Sequence, residues 1–354
     1  MRFGQGMPIE SLDAMPIDFS KVRTYPLARR KSKVTVRDFA RVATRPNGIS
    51  RFLDSLPNIL AAKEFRQVVG ACHRARKRDR PIIWAIGGHV IKCGLSPLLI
   101  HLMNQGYVQH LALNGAGLIH DFEIALAGST SEDVEASIGS GAFGMARETG
   151  EWINAAINRY VVTGSGLAAA VGKGLVEGFG MERKGSSKRL RVARLNLKSE
   201  IHNPKSIIRS PKYLQHSLLA TAFRLGIPTT IHLAVGTDII HNHPSTNGRM
   251  LGEGAMRDYR TFVSSVASLN KGGVFLNFGS AVLIPEVFLK AVSLIRNQGL
   301  PLRDFTTANF DFIQHYRGIQ NIVRRPTQNG AGHGYSITGH HELMLPLLAA
   351  ALVA

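Results

Sequence analysis

Pairs of carboxylates and histidines are the residues of this sequence that are best suited to proton transfer. Asp238 precedes His241 by three positions, and His340 stands two positions before Glu342. Histidine titrates near neutral pH, so such residues serve as general acids and bases or as metal ligands. The chain has no H-E-x-x-H motif and no cysteine–histidine spacing of the kind that binds zinc. We therefore predict no metal site, and we predict catalytic roles for Asp238, His241 and His340.

Three glycine-rich turns follow apolar runs and are candidates for holding a phosphate. They are Gly87-Gly88-His89, Asn114-Gly115-Ala116-Gly117 and Phe278-Gly279-Ser280. Glycine lets backbone N–H groups approach a phosphate where parallel strands end, although each glycine could instead only close a tight turn. Three such turns on one sheet edge favour a crevice of nucleotide size. The predicted cofactor-binding residues are Gly87, Gly88, His89, Lys92, Asn114, Gly115, Gly117, Asp121, Gly279, Ser280 and Glu342.

Two further segments match a dinucleotide-binding fingerprint, but their surroundings argue against that function. Gly139–Gly144 has the G-x-G-x-x-G spacing, yet acidic residues precede it and no strand does. Gly164–Ala169 follows a plausible strand, Tyr160–Thr163, and opens an alanine-rich stretch. No second strand ends in an acid about 20 residues later, as the fingerprint requires. We interpret the first match as a coincidence and the second as weak.

The elements that must position these residues alternate between strand and helix. A helix is predicted over roughly 60–78, and helix-like segments follow the first two apolar runs. Short apolar runs bounded by glycine and separated by helices are typical of a parallel sheet covered on both faces. We therefore predict an α/β fold with a doubly wound, mostly parallel, Rossmann-like sheet. The predicted strands are Pro81–Ile86, Tyr107–Leu113, Pro228–Val235, Gly273–Phe278 and Phe305–Phe310.

The charge of the chain indicates a class of partner without naming one. Its 354 residues carry 43 Lys and Arg against 24 Asp and Glu, a formal net charge of +19. Basic residues mark an N-terminal arm, residues 1–35, and a glycine-rich interval at about 164–200. We interpret this interval as a surface insertion within a single α/β domain, residues 36–354. Nucleic acid is the less favoured partner, because no aromatic residues interleave with the basic runs.

The same inspection gives an expectation for the cellular compartment. The two cysteines, Cys72 and Cys93, form no disulfide or ligand pattern, which favours a reduced, cytoplasmic setting. The first ten residues lack the apolar core of a secretory signal. The apolar stretch Leu343–Ala354 contains Pro346 and is too short to span a bilayer, so no membrane partner is expected.

Several collinear segments resemble deoxyhypusine synthase. They are Gly94–Val108, Leu111–Asp121, Phe143–Asn158, Glu200–Ser206, Gly226–Pro228 and Ile337–Leu348, which together cover roughly residues 60–350. The resemblance implies one doubly wound domain that binds NAD, and a tetramer with sites between subunits. It also implies that the aminobutyl group of spermidine passes, through an imine on a lysine, to a lysine of a translation factor.

The residues that this reaction needs are replaced here. The resemblance places the catalytic lysine near Thr327, in the segment Arg324–Gly330, yet Lys290 is the last lysine of the chain. A guanidinium does not lose its proton at ordinary pH, so arginine cannot carry the imine. The polyamine-binding acids of the family fall at Ile119, Gly236 and His241, its substrate histidine near Pro285, its cofactor aspartate at His340 and a serine at Lys92.

We interpret the chain as a divergent deoxyhypusine-synthase-like protein that does not make deoxyhypusine. Its crevice is predicted to bind NAD or another nucleotide and to act on an altered, unknown substrate. Asp238 and His241 would form the acid–base pair, while His89 and Lys92 hold an anionic group. A homo-oligomer is expected from the resemblance. The alternatives are a nucleotide-binding or regulatory module without turnover and, less favoured, a nucleic-acid-associated basic protein.

Overall fold

The computed structural model describes residues 23, 29, 38–41, 48–179 and 211–354, and this part of the chain alternates helices with strands. A π-helix, Gly318–Arg324, and a 3₁₀ turn, Ile239–Asn242, add to the regular elements. The strands are β1 Ile82–Ile86, β2 His110–Asn114, β3 Thr229–His232, β4 Val274–Phe278, β5 Phe305–Asp311 and β6 Gly332–Thr338. The α-helices are α1 Gly48–Ser55, α2 Leu60–Lys77, α3 Gly88–Lys92, α4 Ser96–Asn104, α5 Gly115–Ala127, α6 Val134–Ile138, α7 Arg147–Tyr160, α8 Leu167–Glu177, α9 Leu218–Leu225, α10 Gly248–Ala267, α11 Leu283–Asn297 and α12 His341–Val353.

The six strands form one sheet in the order β3-β2-β1-β4-β5-β6, and every neighbouring pair is parallel. The chain begins at the centre with β1, moves outward through β2 and β3, and returns to the other side of β1 for β4. In the register of the centre, Trp84 pairs with Leu111 on one side and with Leu276 on the other. The predicted doubly wound α/β, Rossmann-like fold is confirmed, and its topological switch point lies between β1 and β4.

Aromatic side chains fill the core on both faces of the sheet. On one face, the rings of Phe278 and Phe310 stack with centroids 4.3 Å apart, and Trp84 stacks on Phe278 at 5.4 Å. On the other face, Phe275 of β4 stacks on Phe288 of α11 with centroids 3.9 Å apart. All five rings are fully buried. The centre of the sheet is thus buried on both faces, which explains why its central strand β1 is a continuous apolar run in the sequence.

Local sequence sets the ends of the helix that follows β2. Asn114 ends the strand, and its side-chain oxygen accepts a hydrogen bond of 2.8 Å from the N–H of Gly117. Asparagine is a favoured N-cap because its short side chain satisfies an N–H that the first helical turn leaves free. At the other end of α5, Gly128 adopts a φ of +74°, the left-handed conformation that closes a helix without strain.

A buried carboxylate on α10 connects two other elements to the sheet. Asp258 accepts hydrogen bonds from the N–H of Ile231 in β3, at 2.8 Å, and of Ala168 in the first turn of α8, at 3.1 Å. Burial raises the pKa of Asp258 to about 7, while the backbone donors oppose that rise. A Cβ at Gly166 would collide with this carboxylate, so glycine is required where α8 begins. The carboxylate holds α8 against the edge of the sheet.

The five strands predicted from apolar runs are confirmed, whereas two features near them differ from the prediction. β6 was not predicted, because its residues alternate small and polar types and it pairs with β5 alone. The predicted strand at Tyr160–Thr163 is wrong: α7 continues to Tyr160, and a turn follows. Tyr160 and Val161 extend the buried face of that helix, whereas Val162 is exposed.

The predicted arms lie mostly outside the described residues. Only Arg23 and Arg29 of the basic arm 1–35 are described, and Glu200–Ser206 lies outside the described ranges. Within the interval at about 164–200, α8 packs its leucines into the core, while the part from residue 180 onward is not described. Among the helices of the described ranges, none is both long and apolar enough to cross a bilayer.

Candidate active site at the carboxyl ends of the strands

The turns after β1 and β4 meet at the switch point and touch backbone to backbone. The N–H of Gly87 donates to the carbonyl of Phe278 at 2.9 Å, and that of Gly279 donates to the carbonyl of Phe310 at 3.2 Å. A Cβ at position 87 would collide with the carbonyl oxygen of Gly279. Gly279 has a φ of +65°, and a Cβ there would lie 2.8 Å from Nε2 of His341. Glycine is therefore required at position 87 by the close approach of the two turns, and at position 279 by the positive φ and the neighbouring His341.

The first turn leads directly into α3, which exposes His89 and Lys92 at this edge. Gly88 lets α3 pack against α5, because a Cβ at position 88 would lie 3.0 Å from both Ala116 Cβ and His120 Cδ2. Burial lowers the pKa of His120, and the nearby ammonium of Lys92 lowers it further, while Glu123 opposes the change. The structure thus places Gly87 against Gly279, and Gly88, His89 and Lys92 follow it in α3.

The second glycine turn has a different neighbour. A Cβ at Gly115 would collide with the carboxylate of Asp238, which reaches the start of α5 from the loop after β3. Asp238 is 8% exposed, and burial raises its pKa while His241 and Thr237 lower it. A carboxylate already occupies the place in front of this turn, so a phosphate would meet a negative charge there. The switch point is the more favourable of the two places for an anion.

Asp238 and His241 lie together, as predicted, in the 3₁₀ turn. The side chain of Asp238 accepts from the backbone N–H of His241, and Nδ1 of His241 accepts from the N–H of Gly236 at 3.1 Å and of Asp238 at 3.4 Å. With Nδ1 accepting, a neutral imidazole carries its proton on Nε2, which is buried and has no hydrogen-bond partner among the described residues. His241 therefore offers a hydrogen-bond donor at Nε2, while the lone pair of Nδ1 is used by backbone N–H groups.

Three predicted cofactor-binding residues use their side chains to cap helices. Asn114 caps α5, and Ser280 accepts from the N–H of Ile284 in the first turn of α11 at 3.3 Å. Asp121 is fully buried and accepts from Ser217 Oγ at 2.6 Å and from the first N–H groups of α9. Burial raises the pKa of Asp121 to about 6, against the effect of these donors. Their proposed contacts with a cofactor stay predictions, and Asp121 serves as a structural cap.

A cluster at the start of α12 completes the switch point and includes three residues that the sequence analysis passed over. Asp311 ends β5, Phe312 follows it, and His341 begins α12. Nε2 of His341 lies 3.8 Å from a carboxylate oxygen of Asp311, and the His341 ring lies 5.7 Å from that of His89 and 5.9 Å from that of Phe312. Their signals in the sequence are modest. His341 shares its helical spacing with the buried Leu345 and Leu348, which marks it as a residue of the buried face.

Two predicted residues, His340 and Glu342, flank His341 in the sequence, and both are exposed to solvent. The exposed ring of His340 is parallel to that of Phe312, with centroids 6.1 Å apart. Glu342 lies 3.8 Å from Nδ1 of His340 and 4.0 Å from the sulfur of Cys93. Burial raises the pKa of the Cys93 thiol, Glu342 raises it further, and Lys92 opposes this. Among the described residues, no three histidine, cysteine or acidic side chains are arranged to hold a metal ion.

These residues fit the phosphates and an aromatic ring of a dinucleotide. In an open parallel sheet, such a ligand lies across the switch point, and here the glycine turns after β1 and β4 meet at that place. His89 and Lys92 are exposed cationic or titratable groups next to it, and Phe312 offers a ring face that is 45% exposed. The acid that binds a ribose in many dinucleotide sites has no counterpart at the end of β2, where Asn114 stands.

The segment that the resemblance assigns to the catalytic lysine lies near the amino ends of β5 and β6, whereas the switch-point residues lie at the carboxyl ends of the strands. Thr327 ends a 3₁₀ turn just before β6, whose first residue pairs with the first residue of β5. Its hydroxyl donates to the carbonyl of Val323 at 2.6 Å. Arg325 donates to Asn321 and to Tyr316. This segment thus has a threonine hydroxyl that is bonded to the backbone and an arginine guanidinium, and it has no lysine amine.

Comparison with known proteins gives structural likenesses only. No family model matches the chain, and no curated protein matches it. One similar solved structure is ArgZ, an arginine dihydrolase of the ornithine–ammonia cycle in cyanobacteria, with 16% identity, a TM-score of 0.44 and coverage of 83% of this chain and 33% of that one. A second is AgrE in a ternary complex with ornithine and NAD⁺, with 17% identity, a TM-score of 0.46 and coverage of 82% and 32%.

A third is a proposed deoxyhypusine synthase from Entamoeba histolytica, with 10% identity, a TM-score of 0.46 and coverage of 89% of this chain and 96% of that one. The present chain spans about a third of the length of ArgZ and AgrE. The fold assignment rests on the strand order and register of the chain itself.

The contact between the two turns predicts the effect of a single methyl group. Gly87→Ala should lower the free energy of unfolding by about 2 kcal/mol, because the backbone of Gly279 must move to admit a Cβ. The φ of −84° at Gly87 suits alanine, so the loss would be steric. Urea unfolding followed by circular dichroism measures the change.

Gly139→Ala is the matched control. Gly139 has a φ of −64°, and a Cβ added there would have no neighbouring atom within 4 Å. The stability of this variant should therefore equal that of the wild type or exceed it by about 1 kcal/mol at most. Equal stabilities for the two variants would contradict the close approach of the turns.

Proposed function

We propose that the protein is an NAD- or nucleotide-binding enzyme whose ligand lies across the carboxyl ends of β1, β4 and β5. The observation that carries the proposal is the contact of Gly87 with the backbone of Gly279 at the topological switch point. Neither glycine places a side chain there. The ring of His89, which follows Gly88, lies 6.2 Å from the exposed ring of Phe312, and Lys92 ends the same short helix. These are the groups that phosphates and an aromatic base require.

The exposure and hydrogen bonds of the candidate residues indicate a different role for each. His89 and Lys92 would hold the anionic part of the ligand, since both are exposed at the start of the crevice. His241 would donate a hydrogen bond from Nε2 to the substrate, with Asp238 fixing the turn that holds it. A bound NAD⁺ would supply hydride acceptance. The substrate would differ from spermidine, because the crevice has Ile119 and His241 where the resemblance implies carboxylates.

A nucleotide-binding module without turnover is the second candidate. It is favoured by the hydrogen bonds of Asp238 and His241, because the side chain of each accepts from the backbone N–H of the other. The lone pair of His241 Nδ1 is thereby used and is not free to act as a base. Absorbance at the wavelength of reduced nicotinamide separates the two candidates. A change upon incubation with NAD⁺ and pools of small alcohols or amines supports an enzyme, and a bound but unchanged cofactor supports a module.

We also propose that the site lies next to a second copy of the chain. Phe312, Ile313 and Leu343 are 45%, 53% and 62% exposed, and they belong to the segments that surround His341. Exposed apolar side chains that cluster beside a site are typical of an interface. The tetramer of the resembled family is consistent with this arrangement.

Nucleotide binding should appear as thermal stabilisation. Millimolar NAD⁺ should raise the melting temperature, because a ligand that binds only the folded state stabilises it. The double variant His89→Ala, Lys92→Ala should weaken binding about tenfold by removing a charge-assisted contact. Isothermal titration calorimetry measures the dissociation constants.

The control is Lys77→Ala. Lys77 is an exposed lysine at the end of α2, shortly before the amino end of β1, whereas the proposed site lies at the carboxyl ends of the strands. This variant should bind as the wild type does. An unchanged melting temperature with NAD⁺, NADP⁺, FAD and ATP would contradict the proposed function.

The protein should not transfer an aminobutyl group from spermidine. Labelled spermidine, NAD⁺ and the translation-factor substrate should leave no label on the factor, because no lysine follows Lys290. Borohydride should likewise trap no label on this chain. Label in either place would mean that another lysine carries the imine, and Lys92→Ala would then test the exposed lysine of the crevice.

The assembly prediction is tested by light scattering. At micromolar concentration the mass should be a multiple of that of one chain. Ile313→Glu, Leu343→Glu should reduce it, since a charge at a buried interface is costly. A monomeric mass for the wild type would refute the second-copy proposal and leave the nucleotide site untouched.

A further inference from the structure

Basic residues line the amino ends of four neighbouring strands. The segments that lead into β1, β4, β5 and β6 are residues 77–81, 268–273, 296–304 and 324–331. Together these segments contain eight lysines and arginines and two aspartates, whereas the short segments that lead into β2 and β3 contain no charged residue. The proposed nucleotide site lies at the carboxyl ends of the strands, so this charge belongs to a different part of the surface.

Contacts between the segments bring several of these cations into one row. The Cγ of Arg80, before β1, lies 3.8 Å from the place that a Cβ would take at Gly272, before β4. The N–H of Lys271 donates to the carbonyl of Arg303, before β5, at 2.9 Å. The N–H of Arg303 donates in turn to the side chain of Asn270 at 3.0 Å. The row therefore follows the order of the strands, and hydrogen bonds between the loops fix its members.

Arg296, at the end of α11, extends the row toward β6. Its guanidinium donates to the carbonyl of Pro326 at 2.6 Å. Burial lowers the pKa of Arg296, and the nearby guanidinium of Arg303 lowers it further. Two cations are thus held side by side, which costs free energy unless an anion neutralises them.

The cations of this surface, which we call the basic edge, are not used inside the described part of the chain. The basic edge consists of Arg78, Arg80, Lys271, Arg296 and Arg303. Arg80 is half-buried, and the other four side chains are exposed. None of the five forms an ion pair with a described carboxylate.

Helix ends do not account for the basic edge. A cation in the last turn of a helix is stabilised by the negative end of the helix dipole, which explains Arg296 in α11. Arg80, Lys271 and Arg303 come after their helices have ended. Lys271 moreover has a φ of +66°, a conformation in which asparagine and aspartate are the more usual residues with a side chain. Local structure therefore does not select a lysine at this position.

A row of this length fits a linear polyanion. Three strand spacings separate β1 from β6, a distance of roughly 15 Å. The phosphates of one nucleic-acid strand follow at about 3.4 Å along a duplex axis, so the row would face about four of them. Four of its five members are arginines, whose guanidinium pairs with a phosphate through two parallel hydrogen bonds. The four segments contain no aromatic residue to stack on a base, so contacts with phosphate carry no base sequence.

We propose that the basic edge binds the phosphate backbone of a nucleic acid without sequence preference. The inference goes beyond the proposed function, because it concerns the opposite ends of the strands. In the sequence these cations are distributed over separate segments, and only the strand order brings them together.

Fluorescence anisotropy with a labelled single-stranded oligonucleotide and its duplex tests the proposal. The wild type should bind both at low salt, and the logarithm of the association constant should fall linearly with the logarithm of the salt concentration. The double variant Lys271→Gln, Arg303→Gln should bind about tenfold more weakly, and its salt slope should be smaller by about 1.5 to 2. Its affinity for NAD⁺ should equal that of the wild type.

Two further variants separate the basic edge from the net charge of the chain. Arg147→Gln, Arg249→Gln removes the same charge from exposed positions in the first turns of α7 and α10, and it should bind nearly as the wild type does. Lys271→Arg, Arg303→Lys keeps both charges and should retain binding. If Lys271→Gln prevents folding, Arg78→Gln, Arg303→Gln gives the same decision.

Three outcomes would overturn the inference. The first is a wild type that binds neither oligonucleotide at low salt. The second is an equal loss of affinity in the two glutamine double variants, which would assign the binding to net charge alone. The third is binding to vesicles of anionic phospholipid without binding to oligonucleotides, which would assign the basic edge to a membrane surface. None of these outcomes bears on the nucleotide site.

Discussion

The contact between the backbones of Gly87 and Gly279 is the constraint on which the geometry of the strand ends depends. Parallel strands lie about 4.8 Å apart, so the turns that leave β1 and β4 run side by side from the start. A missing side chain at position 87 lets them touch, and the positive φ of Gly279 turns the chain away at once toward α11. The starts of α3 and α11 follow from this contact, because these two helices come after β1 and β4.

The buried acids of the chain are bound to backbone N–H groups. Asp121 caps α9, Asp258 connects α8 with β3, and Asp238 caps the 3₁₀ turn in front of Gly115. Each ties a helical segment to the sheet or to another loop, and none of the three is left free to bind a polycation. The protein has 43 basic and only 24 acidic residues, and three of these carboxylates accept hydrogen bonds from backbone N–H groups inside the fold. The rim, with Lys92 and His89, is left favourable to anions.

Strand and turn positions could be predicted because the physics is local. A run buried on both faces must be apolar, and glycine must follow where backbones meet, so β1, β2 and β4 with their turns can be recognised in the sequence. β6 cannot, because an edge strand of small and polar residues lacks that pattern. The pairing of Asp238 with Gly115 and of Asp311 with His341 depends on the strand order, which no periodicity contains. Which of two adjacent histidines is buried was decided by the packing of α12 against the sheet.

The strand order has a consequence for how the chain is made. β1 is central, yet its neighbour β4 begins only at residue 274, after β2 and β3 have left the ribosome. At typical synthesis rates, one edge of β1 stays unpaired for on the order of ten seconds. That edge belongs to a run of five apolar residues, Ile82–Ile86, which is a template for pairing with any other extended chain. A ribosome that stalls between β3 and β4 would release half a sheet with its most apolar strand open, so steady translation through this interval protects the protein from aggregation.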